Sequence, residues 1–351
     1  MVSVKGRSEI ARSARAYLML VGAACFFMSS SARADFFQGT LYFTTFAGGE
    51  NVHSVGFSYN DSAHVLSLGS ITNIAATPGA DGLVFTSDGF LAVGGQGNAV
   101  FKVNPNATNS FTGVSAGGTS AFHMMVAPNG TIYSSGIPGT PASYNSTLTT
   151  NGTPHSVSGP VTVIDSIAWA GSDSTHGFYT KSGSGGFGQF GTLDLTGSTL
   201  VTGAPISFNG STTLPAAHGM TYDPYTGTLI LSGDSHVTQI DPTTMHIVSD
   251  LNLSNQGFTF DQVTTDGQGH VYVADNGGHL LFLDIRNSKE VGNPDFMTAP
   301  FLAPSLDDFA PLVGPGANPV PEPATLTLAV FGVLCLGGRA CWRRCRKSVP
   351  V

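Results

Sequence analysis

Six titratable side chains recur at one position of a repeated strand: Asp81, His123, Asp165, His218, Asp261 and Asp308. They open the runs Asp81-Gly-Leu-Val-Phe-Thr, His123-Met-Met-Val-Ala-Pro, Asp165-Ser-Ile-Ala-Trp-Ala, His218-Gly-Met-Thr-Tyr-Asp, Asp261-Gln-Val-Thr-Thr-Asp and Asp308-Phe-Ala-Pro-Leu-Val. Brought to one axis, four carboxylates repel one another unless they are protonated, hydrogen-bonded or neutralised by a cation. Carboxylate oxygens suit Ca²⁺, and the two added histidines suit a transition ion better, so a divalent cation is the cofactor this set would hold. The competing expectation is that each Asp or His bonds loop amides of the neighbouring repeat and holds no metal.

The elements that must position these residues are legible as repeats. A turn glycine followed by a β-rich run recurs at Gly39, Gly89, Gly130, Gly177, Gly227 and Gly269, at intervals of 41 to 50 residues. That interval is the length of one four-stranded propeller blade. A second marker follows: Asn104, Asp194, Asp241 and Asp284 each end a short apolar run, where an Asx side chain caps the next turn. Repeats one and three lack it, which predicts degenerate or inserted blades there. Gly94 to Asn98, Gly233 to Ser235 and Asp275 to Gly278 carry hairpin chemistry. The Gly-, Pro- and Ser-rich stretch 136–160 reads as a long surface loop. No stretch of the body shows a 3.6-residue apolar period.

The body begins at Gly39 without an opening strand of its own, while the strand copy at Asp308 has no blade after it. Pairing the two would close the ring and remove its open sheet edges. The expected fold is all-β: a six-bladed β-propeller of four-stranded blades over residues 35–314. The first strand of each blade lines the channel, so the six titratable residues should meet at one mouth. The pattern of strand, Asp-Gly turn, strand and Asp-Pro is similar to NHL-type and lactonase-like propellers, including streptogramin-lyase relatives. That resemblance implies an architecture, and one alternative function, a divalent-metal-dependent lactonase- or lyase-like enzyme.

Both ends read as processing segments. Lys5, Arg7, Arg12 and Arg15 precede the apolar stretch 16–28, and Ala32-Arg33-Ala34 forms an A-x-A site, so residues 1–34 read as a signal peptide for Sec export, cut after Ala34. The segment Gly22 to Cys25 fits a lipoprotein box only with a very short apolar region before it. At the other end, a linker at 315–323 leads into a three-part segment at 320–347. It comprises Val320-Pro321-Glu322-Pro323, then apolar residues with a short transmembrane helix expected over 324–338, then Arg339, Arg343, Arg344, Arg346 and Lys347. As a helix, the 15 residues Ala324 to Gly338 span about 22 Å, short of a hydrocarbon core of about 30 Å, and the arginines would snorkel to hold the far end cytoplasmic.

This tail resembles the sorting signal of bacterial PEP-CTERM proteins, which a membrane-embedded exosortase recognises and cleaves. An ordinary tail anchor is the alternative, whereas a GPI signal would end apolar rather than basic. The resemblance implies exosortase as a partner and a transient stay in the membrane. It also implies release to the cell surface or extracellular matrix, in company with exopolysaccharide and biofilm formation.

Charge narrows the partners further. Of 14 Lys and Arg, only Lys102, Lys181, Arg286 and Lys289 lie in residues 35–320, against twenty acids. A body of formal charge −16 repels phosphate backbones, which excludes nucleic acid. All four cysteines (Cys25, Cys335, Cys341, Cys345) lie in the two terminal segments, so the body has neither a disulfide framework nor a thiolate metal site.

Other chemistry is sparse. Gly186-Phe-Gly188-Gln-Phe-Gly191 fits a dinucleotide-loop spacing but opens no helix, so it reads as a glycine-rich hairpin. No G-x-S-x-G elbow and no H-E-x-x-H occur. His53, His64, His155, His236, His246, His270 and His279 are expected on the surface or in loops. The leading expectation is a non-catalytic binding or structural module with no catalytic residues.

Overall fold

The computed structural model describes residues 36–310 except 47–48, 96, 118–119, 137–139 and 184–187. The signal peptide with Ala32 and Ala34 lies outside the described residues. So do the linker, the Val320–Pro323 motif, the expected 324–338 helix and the basic stop. Among the described residues, no helix is long and apolar enough to cross a membrane. The compact unit Gln38–Gly316 holds the fold.

It is an all-β propeller of six blades, and the first blade joins the two ends of the body. Its innermost strand, Leu306–Phe309, pairs antiparallel with Phe36–Thr45, which continues through Val52–Asn60 to Val65–Ala75. The late strand therefore closes the ring, as its repeat position predicts. Blade two runs Leu83–Phe85, Leu91–Val93, Ala99–Val103 and Phe111–Ser115. Blade three runs His123–Val126, Ile132–Ser135, Ala142–Tyr144 and Thr153–Pro154. Blade four, Ile167–Ala168, His176–Lys181, Gln189–Asp194 and Thr199–Thr202, gains a fifth strand, Ser156–Ser158, parallel to its outer edge. Blade five runs Gly219–Asp223, Thr228–Gly233, His236–Asp241 and His246–Asn252. Blade six runs Phe260–Thr265, His270–Asp275, Leu280–Asp284 and Phe296–Thr298.

The apolar residues of second and third strands fill the spaces between blades. One cluster packs Ile230 and Val237 of blade five against Val271, Val273, Leu281 and Leu283 of blade six. Another packs Met125 and Tyr133 of blade three against Ile167, Trp169 and Tyr179 of blade four. Fully burying such side chains contributes roughly 1.5–3 kcal/mol each, so the core resides between sheets.

The repeat glycines serve two different ends. Gly89, Gly130, Gly227 and Gly269 adopt positive φ (+73° to +96°) in the turn before the second strand. Gly39 and Gly177 lie within strands instead, where a Cβ would approach Phe57 and the carbonyl of Ala168 to within 2.7 and 2.8 Å.

Two expectations are overturned. Repeats one and three do carry the Asx marker: Asn60 ends the third strand of blade one and accepts the Ala63 N–H, and Asn145 follows that of blade three and accepts the Thr149 N–H. In blade one a longer hairpin moves the marker away from Gly39. In blade three Asn145 keeps the spacing from Gly130 that Asn104 keeps from Gly89, but the short run Ala142-Ser143-Tyr144 before it does not read as an apolar strand. The stretch 136–160 is not a loop, for strands at 142–144, 153–154 and 156–158 cross it. Its Asn, Ser and Thr make an ordered turn around Asn145, and Pro154 is tolerated because its strand is the outermost of blade three.

Candidate ligand site at the channel mouth

Each opening residue is positioned by its own backbone, before its side chain does anything. Asp81 N–H donates to Gly94 O, Asp165 N–H to Thr180 O and His218 N–H to Ser232 O, all at 2.9–3.0 Å. Their carbonyls are tied to the preceding blade. Thr44 Oγ1 donates to Asp81 O at 2.5 Å, Thr180 Oγ1 to His218 O at 2.7 Å and Ser232 Oγ to Asp261 O at 2.5 Å, and Ser135 Oγ donates to Asp165 O. Sequence reasoning missed these hydroxyls, although Thr44, Ser135 and Ser232 each stand five residues after a repeat glycine.

The side chains of Asp81, His123, Asp165, His218 and Asp261 converge on one cavity of about 330 Å³. The sixth position differs from expectation. Asp307, not Asp308, faces this mouth. Successive strand residues point to opposite sides, so a one-residue change of register swaps the two acids. The register shifts between Phe43 and Thr45, where Leu306–Phe309 pairs with blade one. Asp308 points along the channel instead, and its two oxygens accept the Leu83 and Phe309 N–H groups at 2.7 Å each. Ser182 and Asn276 add polar walls, and Phe46 and Phe122 are the aromatic members of the lining.

The charged groups at the mouth shift one another in opposite directions. Burial opposes an imidazolium at His218, but the Asp261 carboxylate in contact with it, with Asp165 behind, outweighs burial and pushes its pKa up to about 9. His218 Nε2 lies 2.9 Å from Asp261 Oδ1, and Nδ1 lies 3.9 Å from Asp165 Oδ2. Burial pushes Asp261 the other way, but the His218 charge prevails and holds it at about 2. Burial, reinforced by the neighbouring His218 charge, pushes His123 down to about 4, so this imidazole is neutral near pH 7. Burial raises Asp307 well above the carboxylate range, as do the charges of Asp261, Asp81 and Asp308 and a hydrogen bond with Asp81. Burial likewise raises Asp308, against the pull of its two backbone N–H donors. Asp165 Oδ2 accepts the Ser182 N–H. Backbone groups and several carboxyls are thus tied between blades, while the side chains still converge.

A second group joins Asp61, His64 and Asp284 at the junction of blades one and six. Arg286 Nη1 lies 2.6 Å from Asp61 Oδ2 and supplies the positive charge there, so this group is an ion-paired lock. Of the remaining histidines, His53 and His270 are buried, contrary to expectation. His270 Nδ1 pairs with Asp266 Oδ2 at 2.6 Å, and His53 bonds Asn73 and Thr45. The glycine-rich stretch resembling a dinucleotide loop leads into a strand, Gln189–Asp194, rather than a helix; Gly186 lies outside the described residues.

No family profile and no curated protein matches the chain. Among solved structures it is similar to a luciferin-regenerating enzyme, at 11% identity and a TM-score of 0.46 over 79% of this chain and 98% of that one.

Proposed function

We propose that this protein is an exported β-propeller, delivered to the cell surface or extracellular matrix by exosortase processing of its PEP-CTERM-like tail, and that it binds a polar glycan at the channel mouth. One observation carries the binding role: a cavity of about 330 Å³ with acid and imidazole groups on a hydrogen-bonded scaffold, together with Phe46 and Phe122. Its size falls at the lower end of the roughly 300–1,000 Å³ of ligand sites. Carboxylates and Asn276 suit sugar hydroxyls, and Phe46, 43% exposed, offers a ring face to the apolar side of a sugar. Exopolysaccharide of the native host is the partner this reading selects.

Two measurements test it. Intact mass of protein recovered from that host should correspond to a chain from Asp35 to the Pro-Glu-Pro region; a retained basic tail would rule out exosortase processing. Calorimetry with host exopolysaccharide should show binding that Phe46→Ala weakens at least fivefold. Equal binding by the variant would remove the mouth from the reading.

A second reading, a divalent-metal-dependent lactonase- or lyase-like enzyme, is favoured by the approach of His123, His218 and Asp261 to one another.

A further inference from the structure

We infer that the half of the channel opposite the mouth is a second binding site, for a neutral amphiphile with a short alkyl chain and a hydroxyl or carbonyl end. This goes beyond the glycan reading and does not depend on it.

The channel holds two chambers in series. Beyond the mouth lies a cavity of about 360 Å³ to which all six innermost strands contribute, and none of its lining residues lines the mouth. The division falls between His123, which faces the mouth, and Gln262, which faces the second chamber; the Gln262 side-chain amide contacts the His123 ring. The chamber reaches the far face of the propeller. Val126, Pro128, Gly171 and Pro224, at or just past the far ends of their strands, belong to its lining, and Val126 is 38% exposed.

Most of the lining is apolar, with Met124 and Met125 of blade three, Ile167 of blade four and Met220 of blade five among it. Unbranched methionines adapt to the shape of a guest, and apolar cavities take up apolar guests more readily than water. The volume lies in the range of ligand sites, roughly 300–1,000 Å³. Hydrogen-bonding groups are added by the adjoining strands of blades five, six and one: Thr221, Gln262, Thr264 and Asp308. The Thr221 and Thr264 hydroxyls, and the end of the Gln262 amide turned away from His123, have no hydrogen-bond partner among the described residues. Gln262 and Thr264 are nonetheless only 6% and 5% exposed. Buried polar groups without partners are costly, and a hydroxyl or carbonyl on the guest would satisfy them.

Charge and length narrow the class of guest. Asp308 is the only carboxylic acid of the chamber and no basic residue joins it. Burial holds its carboxyl well above the carboxylate range. A carboxylate or ammonium head would leave water and meet no counter-charge there, which selects a neutral head. Along the strand, Met124 to Val126 rise about 10 Å at about 3.3 Å per residue, the length of an alkyl chain of about eight carbons.

The test uses the full chain carrying Trp342→Phe, so that Trp169, which lines the chamber, is its sole tryptophan. Bromine quenches indole fluorescence at short range. A terminally brominated octanol should therefore quench Trp169 saturably, and plain octanol should compete with it. Octanoate and octylamine at neutral pH should compete at least tenfold more weakly. Val126→Phe, at the open end, should weaken quenching at least fivefold. Val248→Phe, at a comparably exposed valine on the outermost strand of blade five, should leave it unchanged. Circular dichroism establishes that the variants are folded. Should Val126→Phe unfold, nuclear Overhauser effects between octanol and methionine methyls of the unaltered protein still decide: contacts to Met124, Met125 or Met220 support the site, and contacts to none of them overturn it. Absence of saturable quenching would overturn the inference, as would an equal loss in Val126→Phe and Val248→Phe. Octanoate or octylamine competing as well as octanol would overturn the neutral class of ligand.

Discussion

Tyr59 donates its hydroxyl to Asp284 Oδ2 at 2.8 Å, joining residues 225 positions apart in the chain. Tyr59 is the penultimate residue of the third strand of blade one, and Asp284 is the Asx residue that ends the third strand of blade six. The same Asp284 caps its own turn through Oδ1, which accepts the Arg286 N–H at 3.0 Å, and Arg286 in turn reaches back to Asp61 of blade one. The turn marker of one repeat is thus also the latch that joins the last blade to the first. Burial, and then the Asp284 carboxylate, hold the Tyr59 phenol protonated far above its ordinary range.

The latch should be measurable by urea unfolding. Tyr59→Phe removes one hydrogen bond to a buried carboxylate and should cost about 1.5–3 kcal/mol. Arg286→Leu should cost more, about 3–5 kcal/mol, because it leaves the mostly buried Asp61 carboxylate without its counter-ion. Stability within 0.5 kcal/mol of the unaltered protein in both variants would show that the ring closes without the latch.

The His218–Asp261 pair gives metal-free protein a definite pH dependence. His218 titrates at about 9 in the folded chain against an ordinary 6.5, so its contribution is complete below about 6.5 and is lost as pH rises through 9. Asp261 runs the opposite way, at about 2 against 3.8: its contribution is present above about 3.8 and is lost as pH falls through 2. Both contributions coexist between about pH 4 and 6.5. Unfolding free energies from pH 5 to 9.5 should fall in the unaltered protein, and His218→Gln should flatten that decline.

Asp307 predicts a gain rather than a loss. Its folded pKa is raised, so the unfolded chain releases a proton that the folded chain retains, and stability declines as pH rises above about 3.8. Asn has the shape of the protonated acid and carries no charge to suppress. Asp307→Asn should therefore raise the melting temperature at pH 8 by a few degrees, with a smaller difference at pH 4. A lower melting temperature at pH 8 would mean that the ionised form is the one the mouth requires.

Two glycines of one hairpin should behave oppositely. A Cβ on Gly94 would lie 2.0 Å from the carbonyl of Ala121, where blade three approaches, so Gly94→Ala must displace backbone and should cost more than about 3 kcal/mol. Gly97, three residues on, meets nothing within 4 Å, and Gly97→Ala should stay within about 0.5 kcal/mol by the same unfolding measurement.

Much of the architecture was legible because its causes are local. A positive-φ turn admits glycine, at four of the six repeat glycines, and an Asx side chain caps the turn just after the third strand of each blade. Gly89, Gly227, Asp194 and Asp241 mark the repeat for that reason. Closure followed from counting strands, since the unpaired copy at the end had one open edge to meet. The Asn60 marker escaped notice because the hairpin before it is longer, and Asn145 because the run before it, Ala142-Ser143-Tyr144, is short and partly polar; pairing across the sheet shows that the residues are equivalent.

By itself, the sequence determined that the body is an acidic, cysteine-free, six-fold repeat of short strands, and it named six residues for one mouth, of which five line it. Tertiary structure decided which acid completes them. Asp307 and Asp308 are adjacent and chemically identical, and the choice rests on a register shift against Phe43 and Thr45, some 260 residues earlier in the chain. It also decided the charge each group carries. The opposite shifts of His123 and His218 arise from burial and from the distance to Asp261, and both follow from how blades pack, which no local pattern encodes.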